Sequence, residues 1–358
     1  MDFIRIAIAL LATTGLTSMA PCCEEPRPGP FAFSYPFDLE LNCPQDFYIH
    51  LDGLMVQAKQ EGMEFAIQNS VPAEIIIIDE GAAPAHTISQ GTVEGFSDND
   101  NSWDMNPGIR FGLGFYLDHD AWKLDFDWTW VNITNYKRAN ATTSGGHMIP
   151  LWLEGSGTAD TSLGTRDSAN WHAHYNTFDI SLGKPYFISR YLVFNPHFGL
   201  RGGWIDQHFS VSYGGTKAGT RVIAHGDNDF WGVGARAGLD SDWNLGKGWR
   251  LFGNFAASLL SGKFEIAQNF NDTDDVTLNE QYYQNTPNFE IVLGMGWGMY
   301  FNKKRNHVAL GAAYEFHEWF DQFNLRKLFS GANNYANDTV SRGNFTLNGF
   351  SLRLQCDI

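Results

Sequence analysis

The stretch Trp122–Trp130, WKLDFDWTW, sets Lys123, Asp125 and Asp127 at every second position between Trp122, Leu124, Phe126, Trp128 and Trp130. An extended chain turns successive side chains to opposite faces, so the ionic groups share one face and the large apolar groups the other. The same parity in other segments puts Arg110, Asp179, His197, Arg201, Arg236, Arg250, Glu290, Glu315, His317 and Arg353 on the polar face. Charges of both signs gathered on one face can form transverse rows that orient and select solutes. They can equally pair across a narrow interior and fill it. Glycines at 112, 114, 232, 234, 238, 294, 296 and 298 fall on this face. They remove bulk and favour an open interior, or else they ease strand curvature.

A second set of residues could do hydrolytic chemistry. His147, His172, His174, His208 and His225 fall in polar stretches near Asp206 and Asp227. His172-x-His174 offers a metal pair on an extended segment, but two histidines without further placed ligands are a weak signal. A G-x-S-x-G nucleophile elbow is absent, and Gly232-Val-Gly234 reads as strand rather than a dinucleotide loop. The plainer reading is a set of exposed polar residues at a loop rim. The expectation is a chain without catalytic residues, bound metal or cofactor.

The elements that must position these residues read as strands. GIRFGLGFYL (108–117) sets Ile109, Phe111, Leu113, Phe115 and Leu117 against Arg110 and two glycines, and residues 118–121 turn the chain into Trp122. In 229–245, Trp231, Val233, Leu239 and Trp243 oppose Arg236, Asp240 and Asp242, and 289–301 repeats the scheme with Phe289, Met295, Trp297 and Met299. Tight turns at 118–121, 184–190, 246–248 and 302–306 alternate with long polar stretches near 134–173, 206–228, 264–287 and 320–342. Short connections on one side and long ones on the other are the pattern of outer-membrane barrels. The reading is all-β: a transmembrane antiparallel β-barrel of about ten strands, from 47–58 to 343–356, with both ends on the short-turn side. Twelve strands is the alternative, because AEIIIID (73–79) could add another. Trp122, Trp128, Trp130, Trp231, Trp243 and Trp297 then mark the aromatic girdles of a lipid-facing belt.

Composition agrees. Aromatics make up 15% of the chain and only 18% is charged, yet mean hydropathy is −0.27, so the apolar residues are dispersed. The net charge of −16 argues against a nucleic-acid partner, which would demand basic patches. Residues 1–20 read as an export signal ending at Ser18-Met19-Ala20. Residues 21–46 are too proline-rich for helix or central strand and read as a tether or a short lumen plug. Residues 47–358 are the barrel.

Several stretches resemble the Legionella-type major outer membrane protein family, the pore-forming barrels also found in chlamydia-like bacteria. They include GLMVQAKQEGMEFA (53–66), WDMNPGIRFGLGFYLDHDAWKLDFDWTW (103–130), WHAHYNTFDISLGKPYFISRYLVFNPHFGLRGGWIDQ (171–207), FWGVGARAGLDSDWNLGKGWRLFGNFAASLLSG (230–262), GAAYEFHEWFDQ (311–322) and the closing NFTLNGFSLRLQCDI. The resemblance implies an integral outer-membrane porin and supplies no catalytic residues. The chain departs from the usual aromatic last residue of such barrels by ending Cys356-Asp357-Ile358. Expected partners are outer-membrane lipid and lipopolysaccharide, small hydrophilic solutes, and further copies of the chain. The rival reading is a surface barrel without conductance, whose stretch 137–170 would contact a host or neighbouring protein. Closure makes the first and last strands neighbours, so Cys43 and Cys356 are expected within reach of a disulfide. Otherwise they would crosslink to envelope proteins together with Cys22 and Cys23.

Overall fold

The computed structural model describes residues 47–69, 75–76, 85–86, 91–96, 105–117, 122–140, 147–152, 166–189, 191–214, 221–271, 276–303, 305–330, 336–340 and 342–358. The expected signal (1–20) and tether (21–46), residues 118–121, and Cys22, Cys23 and Cys43 lie outside the described residues. Ten long strands carry the period-two pattern: β1 (Phe47–Gln60), β2 (Met105–Leu117), β3 (Trp122–Asn140), β4 (Arg166–Gly183) and β5 (Leu192–Gly214) make the first half. The second half is β6 (Arg221–Gly246), β7 (Trp249–Asn271), β8 (Val276–Phe301), β9 (Asn306–Phe323) and β10 (Gly343–Asp357). Each pairs antiparallel with the next, and β10 returns to β1 in unbroken register from Tyr48↔Asp357 to Gln60↔Phe345. The ring is therefore closed at ten. Tyr186–Phe187 adds only a two-residue outer rung beside β5. The possible extra strand of 73–79 contributes Ile75–Ile76, which pairs with Ala85–His86 apart from the barrel.

The termini and the short turns share one end, here the near end. There Lys247 (φ +55°), between Gly246 (+88°) and Gly248 (+82°), makes a left-handed corner that glycine allows at little cost. At the far end the strands correct the expected loops. Most of 206–228 and 264–287, and both ends of 134–173, are strand: β3, β5 and β7 run on to Asn140, Gly214 and Asn271, and β4, β6 and β8 begin at Arg166, Arg221 and Val276. The alternation persists after the outward residues turn polar, so the hairpins outrun the apolar belt.

Outside the barrel, Phe111 is 43% and Trp128 41% exposed, and no second layer of protein covers them. One transverse row joins Trp130, Asn176, Trp204 and Trp231 across β3–β6. Toward the near end lie Trp122, Trp243 and the directly opposed pair Trp249 and Trp297. From Trp231 to Trp243 along β6 is ~40 Å of strand, or ~28 Å of depth once tilted, close to the ~25 Å belt of outer-membrane barrels.

Inside, the near half is ionic and the far half apolar. Leu54, Val131, Ile133, Trp171, Ile205, Phe230, Leu260, Phe264, Trp319, Phe345 and Leu347 form one buried core within the far half. The Trp319 ring meets Tyr175 at 6.0 Å and Phe230 at 6.3 Å, while Gly203 leaves room for its edge. Trp319→Ala is expected to lower the stability of the refolded barrel by about 3–5 kcal/mol, read as a lowered denaturation midpoint. Trp128→Ala, on the outside, should cost clearly less in the same assay.

Candidate functional site

A cavity of about 130 Å³ occupies the near half of the interior, and Arg110, Lys123, Asp125, Asp127, Asp179, His197, Arg201, Arg236, Glu290, Glu315, His317 and Arg353 line it. Arg250 lies below them, inward on β7, 3.4 Å from Asp242 and over the Phe252 ring. Sequence reasoning placed Asp240 and Asp242 on the polar face but left out Tyr48, His50 and Asp52 of β1, together with His307 and Asp357. The signal was available: His50 and Asp52 alternate with Ile49 and Leu51 just as Asp125 alternates with Phe126.

The charges are paired. Asp52, almost wholly buried, receives Arg353 at 2.7 and 2.9 Å and Arg110 at 3.2 Å. Arg110 then crosses the seam between β1 and β10 to Glu315 of β9, at 2.7 and 3.0 Å. On the opposite wall Arg201 forks onto Asp179 (Nε to Oδ1, 2.6 Å) and reaches over to Asn288 (2.6 Å) and Glu290 of β8. Arg236 adds a 2.8 Å bond to Glu290. His317 joins the two groups, with Nε2 3.1 Å from Glu315 and Nδ1 3.5 Å from Glu290. A bidentate guanidinium holds its carboxylate in one plane, so this chain of forks crosses the interior as a braced layer. Filling by pairing, rather than an open mixed-charge bore, is the arrangement present.

The inward glycines correct a second expectation. They do not widen the bore: neighbouring side chains lie on most of them, and at Gly234 the Leu259 backbone does. A Cβ on Gly112 would stand 2.0 Å from His50 Nε2, and one on Gly114 would stand 2.1 Å from the Tyr48 ring. His197 occupies the same kind of seat over Gly238, and His307 over Gly298. The missing side chains let long polar groups cross to the next strand but one: Tyr48 to Asp125, and His50 to Asp127 at 2.9 Å.

Above the ionic layer, three connecting segments turn inward and close the far half. Met63 and Phe65 follow β1, Met148 and Trp152 come from the segment after β3, and Phe323 and Leu325 end β9. Asp321, at φ +52° within the β9–β10 register shift, bends the last of these into the barrel. Tyr213 of β5 latches the first two: its hydroxyl donates to the Phe65 carbonyl (2.7 Å) and accepts from Trp152 N–H (3.2 Å). Trp152 Nε1 donates to the Glu64 carbonyl at 2.7 Å. Asn228 Nδ2 reaches the Gln322 carbonyl at 2.8 Å, and Gln268 holds Arg326 by both its backbone groups.

The hydrolytic candidates sit on strands rather than in loops, with His172 opposite His208 and His174 opposite Asp206. His172, His174, His208 and His225 are exposed on the outer faces of β4, β5 and β6, above the Trp130–Trp204–Trp231 row. The side chain of His147 lies outside the described residues. His208 Nδ1 is 2.7 Å from Asp227, whose carboxylate raises the imidazole above its ordinary value. His172 faces the Thr134 hydroxyl. Among the described residues no group of three or more His, Cys, Asp or Glu is placed to hold a metal ion. The misplacement has the same cause as the loop error, since these residues sit on strands that continue past the belt. Cys356 points outward near the end of β10, opposite Ile49.

Asp167, at the far tip of β4 and 1% exposed, lies directly across from the Tyr213 latch. Burial pushes its carboxyl up to about 7, and the Gly214 N–H, at 3.4 Å, offsets this only in part. Because the folded value is raised, its contribution to stability is complete below the ordinary carboxylate value and is lost as pH rises through about 7. Asp167→Asn should therefore be more stable than the parent at pH 8, and the advantage should shrink at pH 4, in paired thermal melts. Arg201→Ala strands the buried Asp179 carboxylate and leaves Glu290 with Arg236, and it should cost about 3–5 kcal/mol. Lys263→Ala, on the outer surface beside Glu265, should cost less than about 1 kcal/mol in the same denaturation assay.

No curated protein matches the chain. Among solved structures, the outer membrane protease OmpT from Escherichia coli is 12% identical over 88% of this chain and 97% of its own, with a TM-score of 0.40. The Pseudomonas putida toluene transporter TodX is 12% identical over 88% and 90%, at 0.24. A Pseudomonas aeruginosa FadL homologue is 8% identical over 87% and 89%, at 0.21. Likenesses this distant carry no argument about activity. A family model described as the Legionella pneumophila major outer membrane protein precursor matches residues 43–358. With its closed barrel and lipid-facing belt, this chain belongs to that family of outer-membrane proteins.

Proposed function

We propose that the barrel is a gated porin, passing ions and small hydrophilic solutes when the far-end plug is displaced. The observation that carries the reading is the ionic layer with its cavity. An interior that only needed filling could be largely apolar, with scattered amides, as the far half is. Buried ion pairs are often no better for stability than well-packed hydrophobic residues of the same volume, and ionisable groups within a membrane commonly mark solute or ion pathways. In this reading the near half is a selective vestibule open toward the periplasm, and the inward segments around Phe65, Trp152 and Phe323 are the gate. The outward belt contacts outer-membrane lipid, with lipopolysaccharide above the far girdle.

The complete burial of Phe65, Trp152 and Phe323 favours one rival, a barrel that serves the envelope as structure and does not conduct. Planar-bilayer recording of the refolded chain separates the two. Discrete steps are expected, and Tyr213→Phe, which removes the latch hydroxyl, should raise the open fraction up to about ten-fold, in line with the loss of one or two hydrogen bonds. If neither protein gives steps, the structural reading stands instead.

A further inference from the structure

We infer that three histidines, His50, His197 and His307, set the ion preference of this lumen, so that its selectivity changes over the pH range in which imidazole titrates. The inference rests on the pore reading above and adds which residues govern selectivity. In the near half, the described inward groups comprise six cationic side chains, each matched to a carboxylate: the two guanidinium networks, Lys123 with Asp125 at 3.2 Å, and Arg250 with Asp242 at 3.4 Å. Three further carboxylates remain, and each is met by a histidine. His50 Nε2 is 2.9 Å from Asp127, His197 Nδ1 is 3.5 Å from Asp240, and His307 Nδ1 is 2.8 Å from Asp357. The fourth histidine, His317, stands between Glu315 and Glu290. Nine carboxylates against six cations leave the near half at −3 with neutral imidazoles, and imidazolium groups at His50, His197 and His307 bring it to zero.

Each imidazole has defined neighbours on the elements around it. His50 also faces Asp52 through Nδ1 at 3.2 Å, stacks on Tyr48, and feels the Arg353 charge. His197 turns Nε2 to Arg236 at 3.2 Å. His307 packs on the Tyr300 ring at 4.9 Å over the Gly298 seat. His317 has Arg110 and Arg201 within electrostatic reach. Fixed charge on the wall of a narrow pore decides which sign of ion is enriched there. Imidazole is the side chain whose ordinary value, about 6.5, lets that charge change between pH 5 and 8.

The test is the reversal potential of the refolded full-length protein in a planar bilayer under a potassium chloride gradient, at pH 8 and at pH 5.5. Cations should be preferred at pH 8, and the cation-to-anion permeability ratio should fall about two-fold or more at pH 5.5. His197→Gln/His307→Gln, which retains amide partners for Asp240 and Asp357, should lose a substantial part of that fall. Asp240→Asn, which removes one surplus carboxylate, should lower the ratio at pH 8. An equal ratio at both pH values, an anion preference at pH 8, or an undiminished fall in the double variant would overturn the inference while leaving a pore. Absence of channel steps at either pH overturns the pore reading and this inference with it.

Discussion

The pairing of β10 with β1 is the contact on which the rest of the molecule depends. In hydrocarbon no water can satisfy a backbone N–H or C=O, so a sheet survives there only if its last strand bonds to its first. The thirteen-rung register from Tyr48↔Asp357 to Gln60↔Phe345 meets that demand. It also places Asp52 opposite Arg353 on one side and Arg110 on the other. The seam that closes the barrel is thus also the anchor of one half of the ionic layer.

A ring of ten strands is narrow, and its two halves fill in different ways. In the near half, glycines on one strand receive long polar side chains from the next, so that charges cross to partners several strands away. In the far half, Trp171, Trp319, Phe230, Phe264 and Phe345 meet three inward segments and leave those rings no exposed surface. The far half resembles the core of a soluble domain, and the near half a hydrated site. The far half thus closes the interior, with the ionic layer and its cavity stacked below the closure.

The ionic and apolar layers also depend on each other. The ionic groups carry their hydrogen-bond partners with them, so the layer tolerates burial. Polar groups of the wall reach the apolar plug through the Tyr213 hydroxyl and the Asn228 and Gln268 amides. Phe323 is itself paired in the ladder with Gly343, whereas Phe65 and Trp152 meet the wall through the Tyr213 hydroxyl.

The sequence by itself determined the strands, their parity and their closure. Period-two alternation needs no knowledge of neighbours, and it placed Lys123, Asp125, Arg201 and Arg236 inside and Trp128 and Phe111 outside. The same rule would have found His50 and Asp52 had it been applied to β1. What only the tertiary structure decided is what occupies the interior. Whether Gly112 means space or a seat depends on His50, which lies sixty-two residues earlier in the chain and one strand away. Whether 206–228 is loop or strand depends on pairing partners, because outward residues turn polar wherever the lipid stops, strand or not. The plug is hidden for the same reason: Phe65, Trp152 and Phe323 come from segments far apart in sequence, and only the closed ring of β-strands brings their rings to one place.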